Sequence, residues 1–85
     1  MSDKRSVSVV VMPKAEILDP QGKAVMGALK SLGFDEVVEA RIGRVVRVTV
    51  RDTGGDAAAV GERVRQMASA LLANPVTEDF TVVEG

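Results

Sequence analysis

The segment Val45-Val46-Arg47-Val48-Thr49-Val50-Arg51 sets the tightest limit on the fold. Val46, Val48 and Val50 alternate with Arg47, Thr49 and Arg51, so a strand here has an apolar side for a core and a polar side. Val7, Val9 and Val11 repeat the pattern near the N-terminus, interleaved with Ser8 and Val10, until Pro13 closes the run. Two such strands require a sheet whose single apolar face is covered by something else, and the stretches between them supply helices.

After a loop at residues 14–18, Asp19 is suited to cap a helix and Pro20 to its first position, where a missing N–H costs nothing. Val25, Ala28, Leu29 and Leu32 follow at the spacing of one buried helical face. Gly33 fits the left-handed position that ends a helix, with Phe34 folding back on Leu29. Val37, Val38, Ala40 and Ile42 are expected to form a second strand. It would join the third, residues 45–50, through a hairpin in Arg41-Ile42-Gly43-Arg44 with Gly43 at a positive-φ or bulge position. Thr53-Gly54-Gly55 reads as a turn and Asp56 as the cap of a second helix with apolar positions Ala57, Val60, Val64, Met67, Ala68 and Leu71. Asn74-Pro75 ends it, Asn tolerating left-handed geometry and Pro being unable to continue. Val76, Phe80 and Val82 then alternate along a short last strand.

The order strand, helix, strand, strand, helix, strand predicts an α+β fold of ferredoxin-like split βαβ plan (β-α-β-β-α-β), with two helices on one face of an antiparallel sheet. At 85 residues the chain is expected to be one domain, 1–85. The second sheet face would carry Val10, Met12, Val38 or Ile42, and Val45 beside Arg47 and Arg51. A bare surface of that kind on so small a core predicts a homodimer or higher assembly, by sheet stacking or edge pairing.

Function is constrained most by what is missing. The chain has no His, Cys, Tyr or Trp, which removes the usual neutral-pH general base, the common nucleophilic dyads and the common zinc ligands. Eleven basic against 12 acidic residues leave a formal charge of −1, so no global field attracts nucleic acid or an anionic membrane. No run approaches a membrane span and no secretory leader is legible, so a cytoplasmic protein is expected.

Gly22, in the first helical turn, disfavours that helix by up to about 1 kcal/mol relative to Ala, so something is expected to approach it closely. A protein contact is favoured over an anion on the free N–H groups, because neither further glycines nor a phosphate-loop lysine accompany the turn; tight internal packing stands beside both. Arg41, Arg44, Arg47 and Arg51 form a basic stripe along the hairpin, flanked by Glu36, Glu39 and Asp52. Without aromatic side chains to stack bases, it reads as a solvated edge or a source of interface salt bridges, not an RNA platform. Glu78 and Asp79 are adjacent on a strand and so point to opposite faces, which rules out a shared metal and leaves them to solvent or to a partner's basic groups.

Three segments, LDPQGKAV at residues 18–25, ARIGR at 40–44 and LLANPVTEDF at 71–80, together resemble the PurS family, the small subunits of phosphoribosylformylglycinamidine synthase in purine biosynthesis. The likeness spans nearly the whole chain. It departs at Arg44 and Phe80, where Lys and Tyr are the family-like residues, and around Gly54-Gly55 and residues 57–59. The resemblance implies a homodimer that bridges a glutaminase subunit, PurQ, and a large synthase subunit, PurL. ATP and Mg would sit on the large subunit, with no cofactor and no catalytic residue on this chain. It also implies that Asp19, Pro20, Gln21 and Gly22, then Arg41, Gly43 and Arg44, then Asn74, Pro75, Glu78 and Asp79 serve as fold-defining turns and partner contacts. A ligand-binding regulatory module of the same topology, with an anion or amino acid at residues 19–23 or across a dimer interface, is the alternative. An acylphosphatase-like enzyme would need an anion-cradling loop after the first strand, which Met12-Pro13-Lys14 does not offer.

Overall fold

The computed structural model describes residues 4–51 and 57–84. In chain order these form β1 (Lys4–Pro13), α1 (Pro20–Ser31), β2 (Arg44–Arg51), α2 (Ala57–Met67), a π-helical turn (Ala68–Leu72) and β3 (Glu78–Glu84). β1 lies at the centre of an antiparallel sheet of order β2-β1-β3. Val7 faces Val48 and Val9 faces Val46 on one side, while Val9 faces Val82 and Val11 faces Phe80 on the other. Paired residues share a sheet face, so this register gathers Val7, Val9, Val11, Val46, Val48 and Val82 on one side. Val64 of α2 and Ala68 of the π turn close over them. Val7, Val9, Val11, Val64 and Ala68 have no exposed surface, and Val46, Val60, Leu72, Phe80 and Val82 pack around them. Each fully buried valine contributes roughly 1.5–3 kcal/mol.

The split βαβ plan holds with one strand fewer among the described residues. Residues 37–43 form no strand and do not fold back on β2. Gly43 does not take the positive-φ geometry of such a turn either; among the described residues Gly33 (φ 99°) is the glycine that does. The role of Gly43 is steric. A Cβ at residue 43 would collide with the Val11 carbonyl and the Met12 sulfur, and would sit 3.3 Å from the Met12 Cα. The chain therefore slips past β1 at this point and runs on into β2.

α1 begins and ends as the sequence predicts. Asp19 caps it, accepting from the Gly22 amide at 2.9 Å, with Pro20 at the first helical position. At the other end the Phe34 amide donates to the Leu29 carbonyl and the Gly33 amide to the Lys30 carbonyl, both at 3.0 Å, which is the Schellman arrangement. The expected burial of the helix within the chain does not follow. Gly22 is its buried residue, whereas Val25 is 39% and Leu32 74% exposed, and Phe34 just beyond is 48% exposed. The sheet face is covered by α2, and α1 is attached to the sheet's end.

The second helix differs at its C-terminal end. The expected cap Asp56 and turn Thr53-Gly54-Gly55 lie outside the described residues. The Ala73 amide donates to the Ala68 carbonyl at 3.0 Å, a bond spanning five residues instead of four. One extra residue per turn rotates Leu71 outward, 84% exposed, and carries Leu72 and Ala73 toward the core. The helix ends without a left-handed Asn74, because its side chain accepts from the Val76 amide at 2.9 Å and its carbonyl from the Glu78 amide at 2.8 Å. That turn leaves Val76 outside β3 and exposed, while Phe80 and Val82 face the core as expected.

The opposite sheet face is uncovered by any described element. Val10 lies beside Val45 and Ser8 beside Arg47, as the alternation predicts, and the Ser6 and Thr49 hydroxyls meet at 2.9 Å.

Candidate functional site

The three motif segments, separated by dozens of residues in sequence, converge on one end of the sheet. That is where β1 finishes and β2 and β3 begin. Asp19 joins the first two. While Oδ1 accepts from Gly22, Oδ2 accepts from the Ile42 amide at 2.7 Å. The carboxylate thus fills the helix N-terminus from within, where an incoming anion would otherwise bind. Hydrogen bonds from the Ile42 and Gly22 amides, aided by the Arg41 charge, hold the Asp19 carboxyl below the usual carboxylate range. The close neighbour expected at Gly22 is the Ala40 carbonyl of the same chain, whose carbon lies 3.0 Å from the place a methyl group would take. Tight internal packing, not a subunit contact or an anion, accounts for this glycine. Arg41 fixes the same corner by donating to the Lys14 carbonyl at 2.7 Å.

Arg44 joins the second segment to the third. Its guanidinium meets the Glu78 carboxylate through two bonds, 2.6 and 3.1 Å, and donates to the Leu72 carbonyl at 2.7 Å, tying down the open end of the π turn. Glu78 also accepts from the Asn74 amide at 2.8 Å. The hydrogen bonds from Arg44, then that from Asn74, lower the Glu78 carboxyl. Asp79, pointing the other way as alternation requires, pairs with Lys14 at 2.7 Å and raises the lysine's pKa. Both carboxylates are therefore satisfied by this chain's own basic groups. Pro20 and Gln21 sit exposed on the first turn of α1, and Pro75 is exposed on the turn before β3.

The arginine stripe read from the sequence divides. Arg44 shares the core-face register, opposite Val11, while Arg47 opposite Ser8 and Arg51 opposite Lys4 lie on the uncovered face. Lys14 and the Leu72 carbonyl are members of the site that sequence reasoning missed. Lys14 lies 65 residues from Asp79, so no local pattern announces their pairing.

A cleft of about 340 Å³ opens among Pro13, Leu18, Asp19, Gln21, Gly43 and Glu78. A second depression of about 450 Å³ lies across Glu78, between Lys14, Pro75 and Phe80. Their charged groups are already hydrogen-bonded in pairs, so neither presents an unpaired carboxylate or lysine. Among the described residues no group of three or more Asp or Glu is placed to hold a metal ion, and no helix is long and apolar enough to cross a membrane.

Comparison with known proteins places this architecture. A family model described as PurS, phosphoribosylformylglycinamidine (FGAM) synthase, matches residues 6–84. The PurS subunit of phosphoribosylformylglycinamidine synthase from Mycobacterium leprae is 42% identical over 74 residues, which is 87% of each chain. The solved structure of Bacillus subtilis PurS is 39% identical, with a TM-score of 0.71 over 91% of this chain and 92% of that one. A chain in the structure of PurLQS from Thermotoga maritima shares the fold with a TM-score of 0.83, covering 99% of this chain and 100% of that one at 23% identity. The chain belongs to the PurS family of phosphoribosylformylglycinamidine (FGAM) synthase.

Proposed function

We propose that the chain is the non-catalytic small subunit of FGAM synthase, holding a PurQ-type glutaminase and a PurL-type synthase together in the cytoplasm. The observation that carries this reading is family membership across residues 6–84 in a sequence that has neither His nor Cys. The internally paired carboxylates support it, since they offer surface and shape but no free acid or base. The solved PurLQS assembly from Thermotoga maritima, which contains a chain of this fold, supports the choice of partners.

In this reading glutamine is hydrolysed on one partner, and the other uses ATP with Mg to activate formylglycinamide ribonucleotide for attack by the released ammonia. The products are formylglycinamidine ribonucleotide, glutamate, ADP and phosphate. The small subunit contributes alignment, so that ammonia moves between centres instead of escaping to water. It acts as a homodimer, and Asp19, Gln21, Arg44, Pro75 and Glu78, at the end where the three motifs meet, are the contact candidates. Mixing the chain with both partner subunits in the presence of glutamine and ADP, followed by size exclusion, is expected to give co-elution. Separate elution, with no gain in glutamine-dependent activity, rejects the proposal.

A further inference from the structure

The sequence that ends the second helix is compatible with two registers. In an unbroken α-helix Val60, Val64, Ala68 and Leu71 fall on one side, with Leu72 at the edge of that stripe and Ala73 opposite it. The structure takes the other register. The Ala73 amide reaches back five residues to the Ala68 carbonyl at 3.0 Å, so Leu72 packs on the core, Ala73 is 6% exposed and Leu71 stands 84% exposed. Each register buries one leucine and turns the other out, and the apolar surface removed from water differs mainly by one alanine. A π turn is the rarer form and needs a reason to persist.

That reason lies outside the helix. Arg44 opens β2 and Glu78 opens β3, on either side of β1. Arg44 Nη2 donates to the Leu72 carbonyl at 2.7 Å, and Glu78 Oε1 accepts from the Asn74 amide at 2.8 Å. The two bonds bracket Ala73, whose amide closes the π turn. The bonds between Arg44 and Glu78, at 2.6 and 3.1 Å, join the two halves of the bracket. In the α register the Ala73 amide would donate to the Ser69 carbonyl, and residues 72–74 would swing about the helix axis away from both partners. This latch is open to solvent: the Arg44 side chain is 50% exposed, and with Glu78 it lines the cleft of about 340 Å³.

We propose that residues 68–73 form a two-register switch with Arg44 and Glu78 as its latch. Latched, the segment is π-helical and Leu71 projects from the surface. Released, it relaxes to α-helix, Leu71 turns into the core, and Leu72 and Ala73 turn out. The register is thus displayed at Leu71 and set from the cleft at Arg44. The inference goes beyond the subunit reading above and concerns the chain by itself, whether or not that reading holds.

The absence of native cysteine gives a direct readout of which position faces outward. Leu71→Cys and Leu72→Cys are introduced singly into the full-length chain, and reaction with an aromatic disulfide reagent is timed in wild-type, Arg44→Met and Glu78→Gln backgrounds. With the latch intact, the thiol at position 71 is expected to react roughly tenfold faster than the thiol at position 72. Arg44→Met keeps an apolar stem without a donor, and is expected to slow position 71 and speed position 72, lowering the ratio by about tenfold. Glu78→Gln retains an acceptor for the Asn74 amide but loses the charge that holds Arg44, so it is expected to move both rates in the same directions by less. It also keeps the test decisive if Arg44→Met fails to unfold cooperatively in urea. An unchanged ratio in the folded latch variants overturns the proposal. Faster reaction at both positions also overturns it, since the helix end then frays instead of changing register, as does a slow thiol at position 71 with the latch intact.

Discussion

Gly22→Ala and Gly27→Ala each add one methyl group to α1, and the structure requires them to change stability in opposite directions. Both substitutions improve intrinsic helix propensity, by up to about 1 kcal/mol. At Gly27 nothing lies within 4 Å of the new Cβ, so that gain is expected nearly in full. At Gly22 the Cβ meets the Ala40 carbonyl, with its carbon at 3.0 Å, and the Asp19 Oδ2 at 2.7 Å. Neither neighbour yields easily. Ala40 is backbone two residues before the Ile42 amide that Asp19 binds, and moving either one strains the hydrogen bond that joins helix to segment. Overpacking of this kind costs roughly 1–3 kcal/mol, so the net effect is destabilisation on the order of 1–2 kcal/mol. For a chain of this size each 1 kcal/mol is about 4–8 °C in Tm. Thermal unfolding of both variants at one protein concentration is the assay. A higher Tm for Gly22→Ala refutes the close-approach account and leaves the glycine unexplained.

Gly33→Ala, at φ 99°, is expected to destabilise by about 1 kcal/mol in chemical denaturation, with no compensating contact. Val64→Ala is expected to cost on the order of 2 kcal/mol because the site is fully enclosed. Leu72→Ala is expected to lower the urea midpoint more than Leu71→Ala, reversing the order that an uninterrupted α-helix would give. The folded-state pKa values of Asp19 and Glu78 lie below their unfolded values. Their contribution is therefore complete above the unfolded values, about 3.9 and 4.3, and is lost as pH falls through the lower folded ones. Lys14 runs the other way, its contribution complete below about 10.4 and lost as pH rises through the raised folded value. Urea midpoints are expected to be flat near neutrality and to fall in acid, with a shallower acid limb in Glu78→Gln.

Local rules make the ends of α1 legible, because an N-cap, a proline and a Gly-Phe ending act within a few residues. They also make the faces of β1 and β2 legible, since period two depends only on the chain itself. What escapes them depends on distant or absent neighbours. Gly43 reads as a turn because glycine most often is one, but its requirement comes from Met12 passing beside it. Leu71 reads as buried because helical periodicity assumes 3.6 residues per turn, and one five-residue hydrogen bond breaks that count. The eleven candidate residues stand out through three short motifs, yet their convergence through Asp19, Arg44 and Glu78 spans separations of 23 and 34 residues that no window reveals.

The central claim is that this chain lends geometry to chemistry performed by others. Glutamine-dependent FGAM formation by the three-subunit mixture tests it most directly, comparing wild type with variants in which each Asp, Glu, Lys or Arg at the motif-bearing end is replaced singly. The account predicts that activity tracks the amount of assembled complex, and that saturating variant subunit restores the wild-type rate. A variant that assembles fully yet abolishes turnover would show a reacting group on this chain and contradict it.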